Sequence, residues 1–116
     1  MFIIKLNTDS SWEQANIKED DLYKQVREII GGWVEEVKPK RLPDPYVMLV
    51  DSDGRLKGLN FNPIASLVYG FAEHGTPIVG EVVIAKRVMT ADGYEAKSLS
   101  FEDTKIIEKY LKSIVG

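Results

Sequence analysis

Residues 46–54, with the sequence YVMLVDSDG, join an apolar run to an acidic turn and carry the clearest structural signal in the chain. The apolar residues 46–50 predict a β-strand. Asp53 and Gly54 together are typical of a tight hairpin turn. We therefore expect residues 55–58 to return as a second strand, antiparallel to the first.

The residues upstream of this segment predict a first strand followed by a loop. Residues 2–6 are apolar enough for a buried strand. Residues 7–21 are mostly polar, and acidic side chains outnumber the single lysine among them. The sequence predicts a loop over most of this stretch, with Trp12 packed against the body of the protein.

A helix and another strand are expected before the central segment. Apolar residues recur at helical spacing between residues 22 and 30, which predicts an amphipathic helix that begins at Asp20 or Asp21. Gly31 and Gly32 end it, because glycine readily takes the left-handed conformation that closes a helix. Residues 33–38 then predict a strand.

Downstream, Asn62 and Pro63 predict a helix start, because Asn caps free amides and Pro at the first helical position lacks an N–H that would have no partner. The helix is expected to end at Gly70. Residues 78–88 predict a strand interrupted at Gly80, and residues 94–99 are expected to pair back with it after a turn. A capping box of Ser100 with Asp103 predicts the last helix.

The predicted order is therefore β-α-β-β-β-α-β-β-α. Strands at hairpin spacing mixed with two or three helices indicate one α+β domain over residues 1–116, with a mostly antiparallel sheet. Parallel α/β is disfavoured, because few of the strands are separated by a stretch long enough for a crossover helix.

The composition excludes several classes of function. The 116 residues include no cysteine, so disulfides and thiolate metal sites are excluded. The net charge of −3 and the pI near 5.2 argue against general nucleic-acid binding, which depends on clustered Lys and Arg. No stretch approaches the roughly 18 apolar residues of a membrane span, and we expect a cytoplasmic protein.

Two motifs resemble catalytic or metal sites without their full pattern. A strand followed by Asp51 and Asp53 resembles the nucleophile motif of haloacid-dehalogenase-type phosphatases, but Arg55 stands where that motif expects Thr or Val. We interpret the segment as a turn, with a phosphatase or nuclease as the weakest alternative. His74 is the single histidine and is interpreted as a surface loop residue, so neither a metal nor a cofactor is expected.

Four segments, residues 31–35, 47–56, 59–65 and 78–83, share their order and spacing with a known pattern. That pattern is a Gly-Gly-aromatic-x-Glu strand start, an apolar strand ending in an acid, an Asn-Pro-x-Ala helix and a Gly-acid-Val-Val strand. The chain resembles an uncharacterised domain-of-unknown-function family of bacteria, mobile elements and phages. The resemblance covers residues 30–85, about half of the chain.

What the resemblance implies is binding instead of catalysis. A small phage-encoded domain without catalytic groups is expected to act in the host cytoplasm on a host defence protein or on a host signalling nucleotide, which oligomeric "sponge" proteins sequester. This expectation rests on analogy with the genomic neighbourhood of such genes and not on particular residues.

The leading hypothesis is a non-enzymatic, homo-oligomeric protein that captures a small anionic ligand, such as a cyclic oligonucleotide or an ADP-ribose-type nucleotide. The helix start at Asn62 would offer free amides to phosphate, and an aromatic ring would stack on the base. The residues expected to bind the ligand are Arg55, Lys57, Asn60, Asn62, Trp33, Tyr69 and Arg87. The alternative is a protein-interaction module that inhibits or adapts a host protein through the C-terminal helix or the sheet edge at residues 94–99.

Overall fold

The computed structural model describes residues 1–18 and 21–115, and within them it contains six strands and four helices. The strands are β1 (Phe2–Leu6), β2 (Trp12–Asn16), β3 (Val34–Val37), β4 (Tyr46–Asp51), β5 (Val82–Thr90) and β6 (Gly93–Lys97). The helices are α1 (Leu22–Ile30), α2 (Pro63–Tyr69), α3 (Phe71–His74) and α4 (Phe101–Val115). None of the helices among these residues is both long and apolar enough to cross a membrane.

The six strands form one sheet in which five follow the order β2-β1-β5-β4-β3 and β6 pairs with β5 beside this path; every strand pair is antiparallel. The nine-residue β5 lies at the centre and is long enough to serve two neighbours along one side. Its first residues pair with β1, and its last residues pair with β6. Its other side pairs with β4, which pairs in turn with β3.

Helices cover both faces of this sheet, which explains why the central strands are continuous apolar runs. Leu49 and Val83 point to the face on which α1 packs, where they belong to one buried cluster with Val26. Their neighbours Met48 and Ile84 point to the opposite face. There they join a second buried cluster, with residues from α2 and α4 such as Ile64, Val68, Ile107 and Leu111.

The α+β class is confirmed, and so are the local signals that begin and end the helices. The Asn62 side chain caps α2 by accepting a hydrogen bond from the Ala65 amide at 3.0 Å. Gly31 ends α1 in the left-handed conformation, with φ of 85°. Ser100 and Asp103 form the predicted capping box, in which each side chain accepts a hydrogen bond from the other residue's backbone N–H.

The prediction of a loop over residues 7–21 is wrong at its centre. Residues 12–16 form β2, which pairs with β1 along its whole length. The strand is polar because it lies at the end of the sheet and is only partly covered, with Trp12 and Ala15 packing against opposite core clusters. Glu19 and Asp20, which the predicted loop and helix start included, lie outside the described residues.

The predicted return strand at residues 55–58 is also wrong, because β3 and β5 occupy both edges of β4 and leave no place for it. The chain instead makes consecutive turns, in which the Gly54 amide donates to the Asp51 carbonyl and the Lys57 amide donates to the Asp53 carbonyl. These turns carry the chain away from the sheet and towards α2.

The start of one strand and the conformation of one loop also differ from the prediction. The strand expected at residues 78–88 is β5 and begins only at Val82, because Gly80 is left-handed with φ of 80° and interrupts the extended chain. Residues 78 and 79 instead run beside residues 61 and 62. The loop predicted around His74 contains the short helix α3.

Candidate functional site

A cavity of about 290 Å³ lies between the turn that follows β4 and the segment that precedes β5. Part of its lining is apolar and comes from Val37, Val50, Tyr69 and Ile78. The remainder includes the polar or charged side chains of Glu35, Ser52, Asp53, Arg55 and Thr76. Its volume lies just below the range of roughly 300–1,000 Å³ that is usual for small-ligand pockets, and its lining is more polar than that of most such pockets.

The segment that forms one wall is fixed to α2 by a buried serine. The Ile78 amide donates to Ser66 Oγ at 2.9 Å, and the hydroxyl donates to the Ile78 carbonyl at 3.2 Å. Ser66 is fully buried, so both bonds are made out of contact with solvent. The side chain therefore positions the wall of the cavity.

The opposite wall is held by an ion pair beneath the turn. The Asp51 carboxylate is 1% exposed, and its Oδ2 atom lies 2.7 Å from Lys57 Nζ. Its Oδ1 atom accepts a hydrogen bond of 2.8 Å from the Asp53 amide. Lys57 also donates to the Gly31 carbonyl at the end of α1, at 3.2 Å. Both carboxylate oxygens are thus engaged in holding the turn, an arrangement that disfavours Asp51 as a nucleophile.

Two of the predicted ligand-binding residues meet at the cavity. Arg55 is exposed and reaches across to the other wall, where its guanidinium donates to the Pro77 carbonyl at 3.4 Å. That long hydrogen bond uses one of the five N–H groups of the guanidinium. Tyr69 lines the cavity from α2 and stacks on His74, with ring centroids 4.1 Å apart and planes inclined by 12°.

The start of α2 is occupied by contacts within the protein. Asn62 is fully buried, and its amide group donates to the Leu6 carbonyl at 3.0 Å and to the Gly80 carbonyl at 2.8 Å. Since its oxygen caps the helix, each polar atom of the side chain has a partner. Asn60 is exposed, and its backbone carbonyl accepts a hydrogen bond from the Gly80 amide at 2.7 Å.

The other predicted residues lie elsewhere. Trp33 is 65% exposed and stacks against the Arg27 guanidinium, which lies 4.1 Å from the ring centroid. Arg87 lies on β5 between the Glu36 carboxylate, at 3.6 Å, and the Tyr94 ring, at 4.5 Å. Neither side chain lines the cavity. The structure therefore brings together Arg55 and Tyr69, with Lys57 supporting the turn beside them.

Sequence reasoning missed the contributions of Glu35 and of residues 76–79 to the cavity. Glu35 belongs to β3, and residues 76–79 follow α3, so no local pattern connects them with Arg55. The apolar character of Ile78 was a visible signal of burial, but it did not indicate which elements would surround that residue.

The cavity offers groups that can recognise a ligand. Among the described residues that line it, Arg55 is the one cation, Glu35 and Asp53 are hydrogen-bond acceptors, and Tyr69 adds an aromatic surface. Within residues 1–18 and 21–115, no group of three or more His, Asp or Glu side chains is placed to hold a metal ion. The arrangement suits a ligand with one anionic group, several hydroxyl groups and a flat apolar part.

Comparisons with known proteins place the chain in a family. No curated protein and no solved structure matches it. A family model does match, over residues 1–114, which is nearly the whole sequence. The chain belongs to the family described as a domain of unknown function, DUF3846.

Proposed function

We propose that this protein captures a small nucleotide in the cavity between the β4 turn and residues 76–79. The single observation that supports the proposal most is that Arg55 and Tyr69, which are separated along the chain, line one cavity of about 290 Å³. A nucleotide needs a donor for its phosphate and a flat apolar surface for its base, and these two side chains supply them.

The charges around the cavity narrow the class of nucleotide. Lys57 neutralises Asp51, so Glu35 and Asp53 are the acidic lining residues that remain beside Arg55. Carboxylates accept hydrogen bonds from ribose hydroxyls and repel further phosphates. One unit of a cyclic oligonucleotide, which carries a single phosphate charge, fits this balance best. A nucleotide of the ADP-ribose type, with two phosphate charges, still fits better than a triphosphate.

The biological role that we propose is sequestration. A phage-encoded, homo-oligomeric protein with this cavity would act in the host cytoplasm as a sponge for a nucleotide signal of the host's immune response. In such a role the ligand is bound and released unchanged. Each copy would contribute its own Arg55 and Tyr69, and a larger cyclic ligand would contact more than one copy.

Thermal unfolding with a panel of nucleotides tests this proposal. A ligand present at about a hundred times its dissociation constant adds about 2.7 kcal/mol to the free energy of unfolding. For a chain of 116 residues that corresponds to a rise of roughly 10 °C in Tm. The ligand should be recovered intact after incubation. A flat response across ADP-ribose, cyclic oligonucleotides and mononucleotides would count heavily against the proposal.

Matched arginine variants locate the binding. Arg55→Ala should abolish the ligand-induced rise in Tm, because it removes the cation that lines the cavity. Arg87→Ala removes an exposed arginine outside the cavity and should leave the rise unchanged. Equal behaviour of the two variants would place the ligand somewhere other than this cavity.

A second candidate function, a protein-interaction module, is favoured by the outer face of α4. Ile106 and Tyr110 lie one turn apart on that face and are 45% and 41% exposed. Exposed apolar residues at this spacing are common where a helix packs against a partner protein. A host protein bound by the wild type, but not by an Ile106→Asp, Tyr110→Asp variant with unchanged Tm, would support this candidate over nucleotide capture.

A further inference from the structure

Strand β3 forms one end of the sheet and pairs with β4 alone among the described strands. Its register with β4 joins Val34 to Asp51 and Val37 to Met48. The opposite side of β3 therefore presents a row of backbone groups to the outside. Such an edge can accept an additional strand from another chain.

The register identifies which backbone groups point outward. In an antiparallel pair, the N–H and C=O of one residue both point towards the partner strand, and those of the next residue both point away. Immediately before β3, the Trp33 carbonyl accepts a hydrogen bond from the Ser52 amide at 2.9 Å, so Trp33 points towards β4. By alternation, Glu35 and Val37 also point towards β4, and Val34 and Glu36 direct their backbone groups outward.

The other edges of the sheet differ from this one. The edge of β6 at Ala96 faces the Tyr23 phenol, and the chain after β6 turns to pair Leu99 with Phe2. On β2, Glu13 is the one acidic residue and has Lys5 within 3.9 Å, whereas β3 has two acidic residues, Glu35 and Glu36, and Arg87 reaches only Glu36.

The side chains of β3 indicate what kind of strand would fit. Glu35 and Glu36 are adjacent and point to opposite faces of the sheet. Among the residues that the structure describes, Glu35 has no cation within 4.0 Å, and Glu36 has only Arg87, at 3.6 Å. An incoming strand with two adjacent basic residues would place one on each face, and each would meet a glutamate.

Trp33 supplies an apolar contact at the end of the edge. It is 65% exposed although it is the kind of side chain that most often anchors interfaces. Trp33 directly precedes β3, and the Arg27 guanidinium lies 4.1 Å from its ring centroid, so an apolar side chain of an added strand would pack on the exposed part of the ring.

A second copy of this chain fits the edge poorly. In an antiparallel pair, the backbone N–H and C=O groups of two opposed residues must both point towards the other strand or both point away from it. In a symmetric pair of identical strands, one residue must therefore lie opposite its own copy, and the symmetry axis cannot pass between two successive residues. Centring on Glu35 or on Glu36 sets that carboxylate against its own copy. Like charges directly opposite each other are unfavourable. Centring on Val34 places Trp33 and Gly32 of the copy opposite the two glutamates, so neither meets a cation, and centring on Val37 leaves most of β3 unpaired.

We propose that the outer edge of β3 binds an extended segment of another protein that carries two adjacent basic residues. The segment pairs with the backbone groups of Val34 and Glu36, and its basic side chains contact Glu35 and Glu36. An apolar residue beside them packs on Trp33. Glu35 also lines the proposed nucleotide cavity, but the edge does not use Arg55 or Tyr69, on which nucleotide capture depends.

A blocked hexapeptide with two central lysines, flanked by valine and threonine, serves as the probe. It should shift the backbone amide resonances of Val34 and Glu36 in a saturable way. A peptide with two central glutamates, and a lysine peptide N-methylated at alternate residues to remove its donors, should each bind at least tenfold more weakly. The absence of a saturable shift with the lysine peptide at millimolar concentration would overturn the proposal. Glu35 and Glu36 would then be interpreted as charges that prevent strand addition at this edge.

Proline variants test the edge itself. Glu36→Pro removes an N–H that points away from β4, so the sheet keeps its ladder and the peptide should bind at least tenfold more weakly. Gln14→Pro is the matched control, because Gln14 occupies an outward position on β2, at the opposite end of the sheet. Glu36→Gln keeps the N–H and should lose less affinity than Glu36→Pro. Equal binding by Glu36→Pro and Gln14→Pro would overturn the proposal, as would self-association that Glu36→Pro abolishes.

Discussion

The Asp51 carboxylate and the Lys57 ammonium lie 2.7 Å apart, and the Asp51 side chain is 1% exposed although Lys57 remains 39% exposed. The pair joins the end of β4 to the turn that carries Arg55. Lys57 also donates to the Gly31 carbonyl, so the same ammonium holds the end of α1. One lysine thus connects three parts of the chain.

Removing the positive charge should weaken this connection. Lys57→Met keeps an apolar stem of similar shape and leaves the buried carboxylate without its cation. Since Lys57 is partly exposed and solvent screens the pair, we expect a loss of about 1–2 kcal/mol in the free energy of unfolding. Urea denaturation measures it. Lys109→Met, on the exposed face of α4, is the control and should change stability by less than about 0.5 kcal/mol.

Gly32 makes room for the same ion pair. A Cβ atom at this position would lie 2.7 Å from Asp51 Oδ2 and closer still to Lys57 Nζ. Gly32→Ala should therefore displace the ammonium from the carboxylate and destabilise the protein by roughly 1–3 kcal/mol. In a Lys57→Met background the same substitution should cost less, because the closest contact is gone. A double-mutant cycle measures this difference.

Gly31→Ala is the control for that cycle. Gly31 has φ of 85° but no atom within 4 Å of its added Cβ. Its replacement should cost about 1 kcal/mol from backbone strain, with the same value whether or not Lys57 is present. If Gly32→Ala also gave the same cost in both backgrounds, the close approach to Lys57 would not be the cause.

Asn62 is expected to be essential for folding. Asn62→Ala leaves the Leu6 and Gly80 carbonyls and the Ala65 amide without their partners, at a cost of roughly 3 kcal/mol. Asn62→Asp keeps the oxygen that caps the helix. It replaces the NH2 group, which donates to the Leu6 and Gly80 carbonyls, with an oxygen that cannot donate, so this variant should also be less stable than the wild type. Asn60→Ala, at an exposed position nearby, should be close to neutral. A stable Asn62→Asp protein would contradict this account.

Stability should fall in acid through Asp103. Burial raises its pKa, but hydrogen bonds from the Ser100 backbone, Lys86, Tyr46 and the Ser100 hydroxyl outweigh this and lower the pKa from 3.8 to about 2. Because the folded pKa lies below the unfolded one, the carboxylate contributes its full stabilisation above pH 4. That contribution, roughly 2 kcal/mol, is lost as the pH falls from about 4 to about 2.

Denaturation at several pH values checks this assignment. Asp103→Asn should be less stable than the wild type at pH 7 and should lose less stability between pH 4 and pH 2. Glu73→Gln is the control, since Glu73 is an exposed carboxylate whose pKa is also lowered, chiefly by its hydrogen bond from Arg41. An unchanged acid profile in Asp103→Asn would assign the loss to other carboxylates.

The sequence by itself determined where α1 ends and where α2 and α4 begin, although it did not indicate the short helix α3. Asn62 caps α2 and Gly31 closes α1 because caps and left-handed turns depend on a residue's own side chain and on neighbours three or four positions away. The class was predictable for the same reason, since the apolar runs and turn residues of an α+β protein are local patterns. The polar strand β2 gave no such pattern, because an edge strand has a neighbouring strand on one side only and its side chains are only partly buried.

Only the tertiary structure decided which segments meet. Asp53 and Gly54 form a local turn signal that ordinarily continues into a strand, but β3 and β5 fill both edges of β4 and leave no hydrogen-bonding partner for one. Likewise, Arg55 and Tyr69 were each recognisable as candidate binding residues, whereas the cavity that contains them also needs Glu35 and residues 76–79. Those contacts join residues far apart in the chain, so they follow from the packing of the sheet and α2 and not from local sequence.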